Sequence, residues 1–108
     1  MANRDLLPGT LQLLILRTLA GGAVHGYAIA KRIRDTSSGA LEVEEGSLYP
    51  ALNRMLVKGW ITAEWGVSET NRKARFYSLT REGRKQLARE AEDFRTIVSA
   101  IELVLDGA

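Results

Sequence analysis

In the stretch EEGSLYPALNRMLVKGWITAEW, residues 44–65, Ser47, Asn53 and Arg54 stand on one side of a helical pattern, with Leu48, Leu52 and Met55 on the other. The apolar three fall at i, i+4 and i+7 with Leu56 beside them, the spacing of a buried helix face. Ser47 and Asn53 both donate and accept hydrogen bonds, and Arg54 offers a planar fork of donors. Gly46 leaves room for a surface to approach closely, Pro50 supplies an apolar contact, and Tyr49 falls at the margin with its hydroxyl. These groups recognise; they do not break bonds. Base edges and phosphates of a nucleic acid would match them. An ordinary packed helix with an indifferent polar face fits the same pattern.

A second set of residues bears on that choice. Between Asn71 and Lys85 lie six cations (Arg72, Lys73, Arg75, Arg81, Arg84, Lys85) against one acid, Glu82, a local excess of five positive charges. The whole chain has a net charge of only +2, so the remainder is net −3. A basic patch on an acidic body can steer a polyanion. Taken singly, each of these cations reads equally as a solvated surface group.

Other reactive residue types give no catalytic constellation. His25 is the single histidine and cysteine is absent, which leaves no transition-metal ligand set and no disulfide framework; His25 reads as capping or orienting a helix. Glu42, Glu44 and Glu45 precede a helix, where acids complement its positive end and repel misplaced phosphate. Trp60 and Trp65 alternate on a strand pattern and read as packing residues. No nucleophile with its base, phosphate-cradling glycine loop or cofactor motif is present. Neither an enzyme nor a bound cofactor is expected.

The elements that must position these groups follow from periodicity. With 108 residues, 45% hydrophobic and 26% charged, the chain reads as one globular domain. A helix is predicted over 10–20, its stripe of Leu11, Leu14, Ile15 and Leu19 widened by Leu13 and Leu16. Pro8 and Gly9 punctuate its start, and Gly21 and Gly22 its end. A second helix spans 25–35, burying Ile29 and Ile33, and a loop follows at 36–39. The third helix begins either with Ser47 as N-cap, or near Glu44 or Glu45 with Pro50 inside it and bending it. Strands at 60–65 and 74–80 form a hairpin across the polar turn at 68–73.

Thr80 caps a last helix running to about Asp106. Along it Leu87, Ala91, Phe94, Val98, Ile101 and Leu105 repeat at alternating intervals of four and three, a heptad seam flanked by Ile97 and Val104. Such a helix is about 40 Å long, more than this body covers, so part of the seam is expected to face another chain. Leu11, Leu14 and Ile15 of the broad first stripe are expected to join that interface.

Helix, helix, link, helix and hairpin is the order of a winged helix-turn-helix, mainly α with a β-hairpin wing. The third helix would then enter the major groove, and Asn71, Arg72, Lys73 and Arg75 would bring the wing to phosphates. Three segments, HGYAIAKRI, EEGSLYPALNRMLVKGWI and RKARFYSLTREGRKQL, also resemble the PadR-type transcriptional regulators. The shared features are an HGY helix start, a G-S/T-LYPAL recognition helix and an R-F/Y-Y-x-LT strand entering the last helix. The resemblance runs from about Gly9 to Leu87. It implies a DNA-binding winged helix over 1–79 and a dimerisation helix over 80–108, forming one structural unit, and repression by operator occlusion. It places Tyr27, Ser47, Tyr49, Pro50, Asn53, Arg54, Arg72, Lys73 and Arg75 toward double-stranded DNA.

The partners expected are therefore duplex DNA and a second copy of the chain. The N-terminal MANRDLLPG lacks a secretory pattern, and the longest apolar run stops at Arg17, so a cytoplasmic protein without membrane contact is expected. Longer relatives carry an effector region beyond a single C-terminal helix. A small-molecule effector has little support here, since Phe94 is the one aromatic on the last helix. A winged helix that holds a partner protein is the other class considered; the cations of the wing count against it.

Overall fold

The computed structural model describes residues 9–107. Residues 1–8, which include Pro8 and all but Gly9 of the stretch read for a signal, lie outside them. The elements in chain order are α1 (Thr10–Leu19), β1 (Val24–His25), α2 (Gly26–Thr36), α3 (Glu45–Val57), β2 (Ile61–Val67), β3 (Lys73–Leu79) and α4 (Arg81–Gly107). The strands form one antiparallel sheet in the order β1-β3-β2. The two-residue β1 adds an edge to the expected hairpin, pairing Val24 with Tyr77 and His25 with Phe76.

The core lies where α1, α2 and α3 meet the base of this sheet. Ile15, Leu16, Leu19, Ile29, Leu48, Leu52, Met55 and Ile61 are all but fully enclosed, with Val24, Ile33, Ala51 and Tyr77 close behind. Each large aliphatic chain buried this way contributes about 1.5–3 kcal/mol. Ile15 is 0% exposed in the single chain, so it serves the core and not the expected interface. The stripe on α1 is broad because it meets several elements of the same chain. Leu11 and Leu14 remain half-buried beside that core.

The helix α3 starts early. Glu44 is its N-cap with extended backbone, φ −86° and ψ 144°, so Ser47 is a third-position residue and not the cap. Pro50 therefore sits inside the helix, and the bond its missing N–H would make to the Gly46 carbonyl is absent. Leu48, Ala51, Leu52 and Met55 form its buried face. The chain leaves α3 through Gly59, whose φ of 78° is the left-handed conformation that a helix stop favours.

Thr80 joins the wing to α4. Its Oγ1 accepts from Gly83 N–H at 3.0 Å and donates to the Gly59 carbonyl at 2.7 Å, so one hydroxyl caps α4 and ties it to the end of α3. Thr80→Val is expected to lower stability by about 1–2 kcal/mol in denaturant unfolding, with Thr80→Ser close to the parent. Further along, Glu90 on α4 accepts from Gln12 on α1 and from Gln86 on its own helix. Beyond that joint most side chains of α4 are exposed among the described residues, and the molecule measures 55 × 34 × 22 Å. No helix among the described residues is long and apolar enough to cross a membrane.

Candidate nucleic-acid interface

Burial of Leu48, Ala51, Leu52 and Met55 turns the opposite side of α3 to solvent. Ser47, Tyr49, Pro50, Asn53 and Arg54 are all exposed there. Nothing but open space surrounds Gly46, where an added Cβ would meet no atom within 4 Å. Tyr27, on the first turn of α2, is 67% exposed.

The position of Tyr49 depends on Gly26. A Cβ at Gly26 would come within 2.8 Å of the Tyr49 hydroxyl, so the glycine lets the phenol lie across the start of α2. Burial, followed by the negative charge of Glu45, pushes the phenol above the usual tyrosine range. Tyr49 thus presents a neutral O–H donor near neutral pH.

The wing is held by the pairing of Ile61 with Leu79 through Val67 with Lys73. Its tip is a five-residue loop, 68–72. Asn71 occupies the left-handed region there with φ 60°, a conformation asparagine tolerates well. Its N–H bonds to the Ser68 carbonyl at 2.9 Å, and Ser68 N–H bonds to the Arg72 carbonyl at 2.8 Å. Asn71 shapes the tip, and its exposed side chain remains available. Arg72, Lys73 and Arg75 are also exposed.

A groove runs between α3 and the wing, lined by His25, Gly26, Tyr27, Tyr49, Asn53, Trp65, Lys73, Ala74, Arg75 and Tyr77. It unites Tyr27, Tyr49, Asn53, Lys73 and Arg75 of the expected site. Ser47, Pro50 and Arg54 lie elsewhere on the outward side of α3, and Asn71 and Arg72 at the wing tip.

Three sequence readings change here. The five-charge excess divides, because Arg81, Arg84 and Lys85 follow β3 while the wing cations sit at its start. Five residues, 76–80, lie between Arg75 and Arg81, about 20 Å of extended chain. His25 occupies the N-cap position of α2, as expected, but through its extended backbone and without a side-chain capping bond; its ring packs edge-on against Phe76, with centroids 5.4 Å apart. Trp65 is no packing residue, being 65% exposed on the groove side of the wing. Trp60 is half-buried against the core, as expected, with the Lys58 ammonium 4.8 Å from its ring centroid. The signal that could have singled out Trp65 is its distance along β2: Ile61 and Ala63 use up the cover the body provides.

On α4 the heptad seam grades from core to solvent. Leu87 packs on the core, and Ala91 and Val98 are half-buried. Phe94, Ile101 and Leu105 are 46%, 51% and 77% exposed, with Ile97 at 58% and Val104 at 80% beside them. Isolated exposed apolar residues are ordinary, but a contiguous row of five on one helix is not.

Three helices followed by a basic hairpin, with a polar helix face turned outward beside it, define a winged-helix DNA-binding protein. A family model described as the transcriptional regulator PadR-like family matches residues 15–89. The chain belongs to that family, whose members are DNA-binding regulators of transcription and not enzymes. A transcriptional regulator from Clostridium thermocellum is similar at 30% identity and a TM-score of 0.79, over 87% of this chain and 91% of its own. A PadR family transcription regulator from Clostridium difficile R20291 is similar at 29% identity and a TM-score of 0.76, over 88% and 97% of the two chains. An uncharacterised protein of Lysinibacillus sphaericus is 25% identical over 107 residues, 99% of this chain and 98% of its own.

Proposed function

We propose that this regulator is a homodimeric, sequence-specific repressor that occludes an inverted-repeat operator. The observation that carries the reading is the exposed row of Ser47, Asn53 and Arg54 on α3, standing beside a wing that carries Arg72, Lys73 and Arg75. In this account α3 lies in the major groove, where Asn53 pairs with an adenine edge and Arg54 with a guanine edge or phosphate. Ser47 and the Tyr49 hydroxyl donate to the backbone, and Pro50 contacts a thymine methyl. The wing cations neutralise phosphates and fix the register. A second copy, paired through the α4 seam, places its own α3 about 34 Å away, one turn of DNA further on. Bound there, the dimer blocks access to the promoter.

Base recognition and phosphate neutralisation respond differently to substitution, which supplies the test. With roughly 6–10 phosphates neutralised per dimer, log affinity should fall against log salt with a slope near −5 to −9. Arg72→Ala or Lys73→Ala should weaken all duplexes alike and flatten that slope by about one for each phosphate left without its cation. Asn53→Ala or Arg54→Ala should instead relax base preference, at about 1–3 kcal/mol per base recognised. Binding titrations on a selected duplex and a scrambled competitor separate the two. Unchanged discrimination in the α3 variants would show that another element reads the sequence.

A further inference from the structure

The wing has two unlike faces. Strand alternation puts Ile61, Ala63, Trp65 and Val67 of β2 on one side, opposite Leu79, Tyr77, Arg75 and Lys73 of β3. Near the body this side is core, with Ile61 at 2% and Tyr77 at 3% exposure; toward the tip Trp65 and Val67 are each 65% exposed. The other side carries Glu64 and Phe76, and Phe76 lies across Gly66, where an added Cβ would sit 2.9 Å from its ring. A carboxylate there would repel phosphate. The groove side therefore has the cations and the unprotected tryptophan.

Those groups alternate. The Lys73 ammonium lies 5.2 Å from the Trp65 ring centroid, and the Arg75 guanidinium 5.8 Å from that of Tyr77, both within cation–π range. Arg75 is also the cross-strand partner of Trp65. Tyr77 is buried and supports Arg75 from the core, so the exposed series is cation, aromatic, cation, the complement of a phosphate, an apolar deoxyribose surface and the next phosphate of a backbone strand. In a duplex the bases are stacked away, so a ring on the wing meets sugar before it meets a base.

We propose that Trp65 is a DNA-contacting residue whose indole packs against the deoxyribose of a backbone strand seated between the wing and α3. Lys73 and Arg75 hold the phosphates on either side of that sugar. The inference rests on the DNA-binding reading and adds an apolar, salt-independent contribution to wing binding. Burying a large aromatic surface favours the complex without releasing counterions.

The test uses the full chain and a duplex that the protein selects from a random pool, followed by anisotropy of the labelled DNA. Trp60→Phe leaves Trp65 as the sole tryptophan emitter, and its emission should shift and become shielded from acrylamide when the duplex binds. Trp65→Thr, which keeps strand propensity, should weaken binding roughly tenfold while the salt slope stays within about one unit of the parent. Trp65→Phe should recover most of that affinity. Parental affinity in Trp65→Thr, with Trp65 still open to acrylamide in the bound complex, overturns the proposal and leaves DNA binding intact. A melting temperature lowered by Trp65→Thr without a change in affinity overturns it too, reducing the ring to a strut of the wing. Absence of anisotropy change with the unaltered chain would instead sink the DNA-binding reading and this proposal with it.

Discussion

Combining Phe94→Asp with Ile101→Asp is expected to yield a monomer with an intact winged helix and operator affinity about a hundredfold or more lower. Both residues lie on the C-terminal half of α4, exposed at 46% and 51%. The core between α1, α2, α3 and the sheet uses neither, so the variant retains what it needs to fold. In a dimer each substitution would bury a carboxylate against apolar neighbours and a symmetry-related acid, an arrangement costing several kcal/mol per ion. The parent row of Phe94, Ile97, Ile101, Val104 and Leu105 is the kind of continuous apolar strip that monomers rarely leave to water. The weaker binding follows from valency, since two linked half-sites become one. Sedimentation reports the mass and DNA anisotropy the affinity; a parent chain with single-chain mass at low micromolar concentration would remove the premise.

Gly83→Ala is expected to destabilise the fold by about 2–4 kcal/mol, although alanine is the better helix former. Helix propensity alone would favour the substitution by about 1 kcal/mol. Steric geometry overrules it, because an added Cβ would lie 2.0 Å from the Trp60 carbonyl oxygen and 2.7 Å from a Leu79 methyl. The carbonyl cannot step aside cheaply: it accepts from Thr80 N–H at 3.0 Å, the bond that seats α4 against the end of α3. Such a destabilisation is a large share of the roughly 5–15 kcal/mol that holds a domain together. Gly107→Ala, in the same helix with no atom within 4 Å of its added Cβ, should be neutral or slightly stabilising. Equal unfolding midpoints for the two variants would show that the close approach at Gly83 is not needed.

The helices were legible because their apolar spacing is a direct record of burial. Leu48, Leu52 and Met55 predicted the inner face of α3, and the outward side followed by geometry. Where α3 begins was not legible, since Ser47 is the better cap and would leave Pro50 in the first turn, whereas the acids at 44 and 45 suit a first turn but put Pro50 inside the helix. The answer depends on the Glu44 carbonyl, which accepts from Ser47 N–H at 3.0 Å and Leu48 N–H at 2.9 Å. The strand β1 was invisible for another reason. Two residues have no period, and Val24 and His25 become a strand only because Tyr77 and Phe76 lie opposite. Ile15 shows the limit of counting apolar residues, since a broad stripe does not say whose surface covers it. Trp65 shows the limit of alternation, which gives a side of the sheet but not where the body beneath it ends. The cations after Asn71 are close in sequence, but the extended chain from Arg75 to Arg81 holds the two groups apart, which composition cannot register.

If two copies of α3 and its wing read one operator together, hydroxyl-radical footprinting of a duplex selected by the purified chain tests it most directly. Two protected half-sites related by inverted symmetry are expected, their centres about 34 Å apart on one face of the helix, with flanking backbone protection from the wings. Arg72→Ala should erase the flanks first. A single protected stretch without symmetry, or uniform cleavage at protein concentrations that bind any duplex, would contradict it.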